Sequence, residues 1–156
     1  MAQDVLVEPH KAEVERVFRT EAPKMWRAML AFGGDPDVAS DAVAEAFAQA
    51  IARGPEVRSA SAWIWRTCYL VARRELKTRP STGAARDVAV DLPEPVRDIV
   101  VAMRELSPNQ RLAVLMHDYA DRSTAEVAAA LGIAAPTVRV HLVNGRRRLR
   151  RHLEES

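Results

Sequence analysis

STAEVAAALGIAAPTVRVHLVNGRRRLRR, residues 123–151, is the stretch on which the fold class turns. Ser123 is placed to cap a helix, and Glu126 three residues on completes the sequence pattern of a capping box. Val127, Ala128 and Leu131 recur on one helical face. Gly132 follows, where a left-handed residue is wanted between two helices. Ala135-Pro136 restarts a helix, because proline in the first turn gives up no intrahelical hydrogen bond. Val138, Leu142, Leu149 and Leu153 form the expected inner stripe of that second helix. Thr137, Arg139, Val140, His141 and Asn144 are left facing outward, as the side chains of a recognition helix in a major groove must. The pattern is a helix-turn-helix, and the partner class it names is duplex DNA.

Helix–glycine–helix also occurs in ordinary all-helical proteins, so charge has to arbitrate. Between Ala135 and Leu153 stand six arginines (Arg139, Arg146, Arg147, Arg148, Arg150, Arg151) and no acid. A solvated helix usually mixes signs so that residues i and i+4 pair. A one-sign run gains from the helix dipole, and it also suits the neutralisation of phosphates. Elsewhere the charge is divided. Residues 1–57 carry six positive and ten negative side chains, whereas residues 58–77 carry five positive and one negative. Two separated basic patches point to two nucleic-acid contacts.

With 156 residues, 48% hydrophobic and 28% charged, the chain has the composition of one globular domain or two small ones. The single cysteine, Cys68, allows no internal disulfide and is expected as a small core residue. His10, His117, His141 and His152 show no ligand spacing, so no metal or cofactor is expected. No leader pattern and no apolar run of about 20 residues is present. A soluble, cytoplasmic protein without membrane insertion is expected. No phosphate loop, nucleophile–base pair or ligand set supports an enzyme.

Helical periodicity dominates. A first helix is expected from about His10 to Phe32, kinked or divided at Pro23. Asp35-Pro36 restarts a second, to about Ala52, with Val38, Ala42, Ala46, Phe47 and Ile51 inward. A third runs from Ser59 or Ser61 to Lys77, with Trp63, Ile64, Tyr69, Leu70 and Leu76 as its apolar face. Lys77–Leu92 holds Pro, Ser, Thr and Gly without an amphipathic stripe and reads as a tether, able to span roughly 50 Å at about 3.3 Å per residue. Pro95–Leu106 and Ser107-Pro108 to Tyr119 are further helices, followed by the helix-turn-helix. The expected fold is all-α. Two small helical domains, 1–77 and 94–156, are joined by a flexible linker, 78–93, and the second is a winged-helix-like helix-turn-helix domain. In the third helix, aromatic rings beside arginines suit unpaired bases. Trp63 is assigned to the core, Trp65 to the outside, and Arg66, Arg73 and Arg74 to phosphates. A plain amphipathic helix with solvated arginines is the other reading of that segment.

The order of these features resembles a bacterial sigma-70 family factor of the extracytoplasmic-function type, which has regions 2 and 4 only. Residues 10–77 correspond to region 2 and 94–153 to region 4. Leu106-Ser107-Pro108 through Arg111 is similar to the family's Leu-Pro-x-x-x-Arg opening of region 4. Ser123, Glu126, Val127, Ala128, Leu131, Gly132, Thr137, Val138, Arg139, Arg146 and Leu149 match its helix-turn-helix. Asp41, Glu45 and Phe47 sit at the spacing of the family's Asp-x-x-Gln-Glu-x-Phe, with Ala44 in place of the glutamine. Ala62-Trp63-Ile64 resembles the Ala-Trp-Leu that opens the next helix. Leu70 and Arg74 fall near places where the family has asparagine and aspartate, and Gly145 replaces a usual alanine.

The resemblance implies a non-enzymatic factor that binds RNA polymerase core and directs it to promoters. Asp41, Glu45 and Phe47 would lie on the surface that docks on the clamp helices of the β′ subunit. An acidic, partly apolar helix complements a basic coiled coil; solvated carboxylates over a core phenylalanine are the other reading. The third helix, with Trp65, Arg66, Arg73 and Arg74, and the loop 54–61 would meet the −10 element. Arg139, His141 and Asn144 would read base edges of the −35 element. Thr137, Arg146, Arg147 and Arg148 would hold its phosphates. An anti-sigma factor is a further implied partner. Two other functions remain open at this point. One is a stand-alone helix-turn-helix regulator, and the other is a degenerate sigma-like protein that binds polymerase without melting promoters.

Overall fold

The computed structural model describes the backbone of residues 2–56, 59–78 and 93–155, with side chains from residue 9 onward except at Glu56. Seven α-helices and no strand occur among these residues, so the winged-helix comparison fails for want of a wing.

Helix α1 spans Ala2–Gly33 and passes through Pro9 and Pro23 without interruption. The expected division at Pro23 does not occur. A proline deprives the carbonyl four residues back of its donor, and here Pro23 and Arg19 both lie on the exposed side, where water can serve that carbonyl. Helix α2, Pro36–Arg53, is capped by the Asp35 carboxylate, which accepts from the backbone N–H of Asp37 (2.9 Å) and Val38 (3.3 Å). Val38, Ala42, Ala46 and Phe47 face inward, whereas Ile51, also expected inside, is 54% exposed. Ile51 joins Phe18 at a shallow apolar groove between α1 and α2. His10 donates from Nε2 to the buried Ala50 carbonyl at 3.0 Å and so ties the two helices at that end. Helix α3, Ala60–Thr78, completes the first half.

In the second half, α4 is Glu94–Met103 and α5 is Pro108–Ala113, continued by wider π-helical turns over Val114–Tyr119. Ser107 and Gln110 form a reciprocal capping box at the start of α5. Helix α6 is Thr124–Leu131 and α7 is Ala135–Glu155. The Ser123 hydroxyl accepts from the Glu126 N–H, and Gly132 takes φ +69 at the turn. The axes of α6 and α7 meet at 98°, within the usual range for a helix-turn-helix.

The expected tether, 78–93, lies outside the described residues over 79–92. The two halves it joins pack on one another. One buried cluster runs from Val14 through Trp65 to Leu142, with α3 packed on α6 and α1 on α4. Polar contacts reinforce this packing. Arg122, just before α6, donates to the Ser61 hydroxyl (2.5 Å) and pairs with Glu21 at 3.3 Å. Arg111 of α5 donates to the Phe32 carbonyl at the end of α1 (2.6 Å).

Candidate nucleic-acid interface

Helix α7 divides its faces sharply. Val138 and Leu142 are buried, while Thr137, Arg139 and Val140 are exposed, Val140 to 57%. His141 and Asn144 sit half-buried at the edge of that outer face. The inner stripe ends sooner than expected. Leu153 is 63% exposed, because the apolar packing on α7 stops at Leu149. Gly145 is buried against α5, where an added Cβ would stand 3.0 Å from a Val114 methyl.

The arginines differ in what holds them. Arg146 donates to both carboxylate oxygens of Asp118 (2.9 and 2.6 Å), and this hydrogen bonding raises its pKa. Arg148 donates to the Glu105 carbonyl at 3.1 Å. Arg139 and Arg147 are exposed.

On α3, Arg66, Arg73 and Arg74 are exposed, but Trp65 is fully buried. The assignment of Trp65 is therefore overturned: Trp65 is core, while Trp63 is half-buried and packs against the same core. Ile64, Trp65, Cys68, Tyr69 and Ala72 make one broad buried face, because α1 and α2 cover α3 on one side and α6 on another. The Trp65 indole donates to Glu21 at 3.1 Å and lies 5.8 Å beneath the Arg122 guanidinium. Leu70, expected on the apolar face, is 39% exposed.

Arg74 reaches across to α2 and donates to both oxygens of Glu45 (3.1 and 2.9 Å). Gln49 donates to the same carboxylate at 3.0 Å. Asp41 is exposed on that helix. Phe47 belongs to the core, with 6% exposure and an edge-to-face contact to Phe18 at 5.1 Å. Of the two readings of Phe47, the buried one holds for its side chain. Arg73 of α3 and His141 of α7 line one cleft of about 530 Å³ between the halves, over Phe32 and Tyr69. Sequence reasoning passed over Arg122, Glu21 and Ser61, and no local pattern marks them. Among the described residues, no group of three His, Cys, Asp or Glu side chains could hold a metal ion.

Residues 96–149 match the family described as Sigma-70, region 4. The RNA polymerase sigma-E factor of Streptomyces antibioticus is 30% identical over 153 residues, which cover 91% of this chain and 85% of that protein. The chain belongs to the sigma-70 family, as an extracytoplasmic-function sigma factor. The fold of this sigma factor is similar to that of CnrH in complex with the cytosolic domain of CnrY, with a TM-score of 0.74 at 18% identity over 100% of this chain and 99% of that one. It is equally similar to the sigma factor RpoE in complex with the anti-sigma factor NepR from Bartonella quintana, with a TM-score of 0.74 at 19% identity over 90% and 96%. Sigma factors are a regulatory, non-catalytic family. In this one, no single helix among the described residues is long and apolar enough to cross a membrane.

Proposed function

We propose that this sigma factor binds RNA polymerase core through the acidic face of α2 and selects promoters through α3 and α7. The observation that carries the reading is the outer face of α7, where Thr137, Arg139 and Val140 stand exposed beside His141 and Asn144 on a helix set at 98° to its partner. Arginine suits guanine and asparagine suits adenine in a major groove, so Arg139, His141 and Asn144 read −35 base edges. Thr137, Arg146, Arg147 and Arg148 hold phosphates there, with Arg146 leaving Asp118 to do so. Arg66, Arg73 and Arg74 track the −10 strand, and Trp65 supports them from the core. Asp41 and Glu45 meet the polymerase, with Phe47 stiffening the helix beneath. The working compartment is the cytoplasm, and an anti-sigma factor is the expected regulator; the structurally similar RpoE is in complex with one.

The test is transcription by core polymerase on promoters selected from bound genomic DNA. Replacing Arg139, His141 and Asn144 with alanine should relax −35 choice by about 1–3 kcal/mol per lost base contact. Unchanged promoter choice refutes the assignment. One observation favours a second reading. Leu70 and Arg74 stand where the family has asparagine and aspartate, and Arg74 is held by Glu45, which suits a factor that docks without opening DNA. Permanganate footprinting of the −10 region separates the two.

A further inference from the structure

We propose that the cleft between α3 and α5 is a binding site for a small organic anion with a flat apolar body. An aryl carboxylate and a nucleoside monophosphate are the two sources of that chemistry. Phe32 and Tyr69 form the floor, with Leu76 and Pro108 beside them. Arg73, Lys77 and His141 supply positive charge around it. The volume of about 530 Å³ falls inside the range of roughly 300–1,000 Å³ for small-molecule sites.

The walls are set by packing within the fold. Tyr69, Arg73, Leu76 and Lys77 recur at helical spacing and so fall on one face of α3. Tyr69 and Phe32 are both buried and meet edge to face at 5.5 Å. Leu76 sits so close to Gly33 that a Cβ there would stand 2.8 Å from a Leu76 methyl. Surfaces held this firmly leave little ordering for a ligand to bring about. On the other side, α5 contributes Pro108 and Asn109. The Ser107 hydroxyl and N–H are both engaged by Gln110 in the capping box, so the side-chain cations, and not the helix end, are what meets an anion.

Charge selects the ligand. Arg73, Lys77, Arg111 and His141 all line the cleft, and among the described residues no carboxylate does. Arg73 lies against the Tyr69 hydroxyl, whose pKa burial raises and Arg73 draws back. Arg111 commits N–H groups to the carbonyls of Met103, Leu106 and Phe32, so it adds positive field beneath the site. Inorganic phosphate would satisfy the cations and leave the apolar floor wet. A neutral hydrocarbon would cover the floor but strip water from the cations without giving them a partner. An anion carrying a ring system meets both demands, and a DNA duplex is too wide for the space. Arg73 and His141 are also assigned to the −10 and −35 elements, so an occupied cleft withdraws both from DNA. That consequence alone rests on the sigma-factor reading given above.

The experiment titrates the full chain with anilinonaphthalenesulfonate, an anion of this shape that fluoresces on leaving water. One molecule per chain should bind with a Kd of about 10–100 μM, as the usual contribution per ligand atom predicts. Lys77→Glu puts a carboxylate into the site, and Asn109→Trp fills it from α5. Each should weaken binding about tenfold, as loss of one charge-assisted contact or of the space itself requires. Near- and far-UV circular dichroism matching wild type establishes that the dye is not reporting a loosened core. Naphthoate and AMP are then used as competitors. Displacement of the dye by either one supports the site and identifies the source of its ligand. The proposal is overturned by the absence of saturable binding, by equal binding in wild type, K77E and N109W, or by displacement with neither competitor. Inorganic phosphate displacing the dye as well as the organic anions do also overturns it. No DNA or polymerase is present, so none of these results touches the sigma-factor reading, which transcription by core polymerase tests separately.

Discussion

Replacing Arg111 with alanine removes three charge-assisted hydrogen bonds at once. Its guanidinium donates to the carbonyls of Met103 (3.0 Å), Leu106 (3.1 Å) and Phe32 (2.6 Å). Met103 ends α4 and Phe32 lies in the last turn of α1, where helical carbonyls have run out of their own donors. The guanidinium also stacks 5.4 Å from the Phe32 ring. Burial, and then the neighbouring Arg104, lower its pKa, yet an arginine stays charged at any working pH. A hydrogen bond from a charged donor contributes about 1.5–3 kcal/mol. In the variant water can enter where the half-buried guanidinium lay and reach these carbonyls, so the total loss is about 3 kcal/mol and not the sum of three. For a chain of this length each kcal/mol moves Tm by about 2–4 °C, which gives a drop of about 6–12 °C for R111A. Lysine reaches one carbonyl but cannot fork, so R111K should lose about half as much. Calorimetry or circular-dichroism melts measure both. R111A melting within about 2 °C of wild type, or R111K matching it, refutes the reasoning.

Three other expectations concern the core. Trp65→Ala should destabilise by about 3–5 kcal/mol and Trp65→Phe, which mainly loses the bond to Glu21, by about 1 kcal/mol; urea midpoints decide, and a loss below 1 kcal/mol for W65A contradicts burial. Burial pushes the Cys68 thiol from 9.0 up to about 12, so the fold favours the protonated form. That contribution is whole below pH 9 and is lost as pH rises toward 12. A Cys68→Ala variant should lack this part of the alkaline decline, and at pH 8 a thiol reagent should react with wild type no faster than the chain unfolds. Gly145→Ala gains up to about 1 kcal/mol of helix propensity but places a methyl 3.0 Å from Val114. Overpacking costs about 1–3 kcal/mol, so Tm should fall, and a rise in the melting curve would show that Val114 yields.

Local signals were legible and longer-range ones were not. Asp35, Ser107 and Ser123 cap their helices, and Gly132 turns left-handed, because each effect depends on neighbours within four residues. The outward set on α7 follows from helical periodicity and the inward Val138 and Leu142. Periodicity locates the centre of a buried face but not its width. Trp65 was therefore misplaced, since α3 is covered from two sides. Of the two outcomes expected at Pro23, a kink or a division, the division fails for a similar reason, because its cost depends on whether the Arg19 carbonyl faces water. Arg122 and Ser61 lie 61 positions apart, and a contact between them leaves no trace in either neighbourhood. The same holds for Arg146 and Asp118, and for Arg74 and Glu45.

The wide turns over Val114–Tyr119 bear on how the chain tolerates changes in length. A π-helical turn houses a residue that an α-helix would have no room for. Delete one residue there and the turns can tighten to α-helical spacing, so that everything downstream keeps its facing around the axis. Arg122 would then still point at Glu21. A one-residue deletion in this stretch is absorbed on the spot, whereas the same deletion inside α7 would turn every residue beyond it by about 100°.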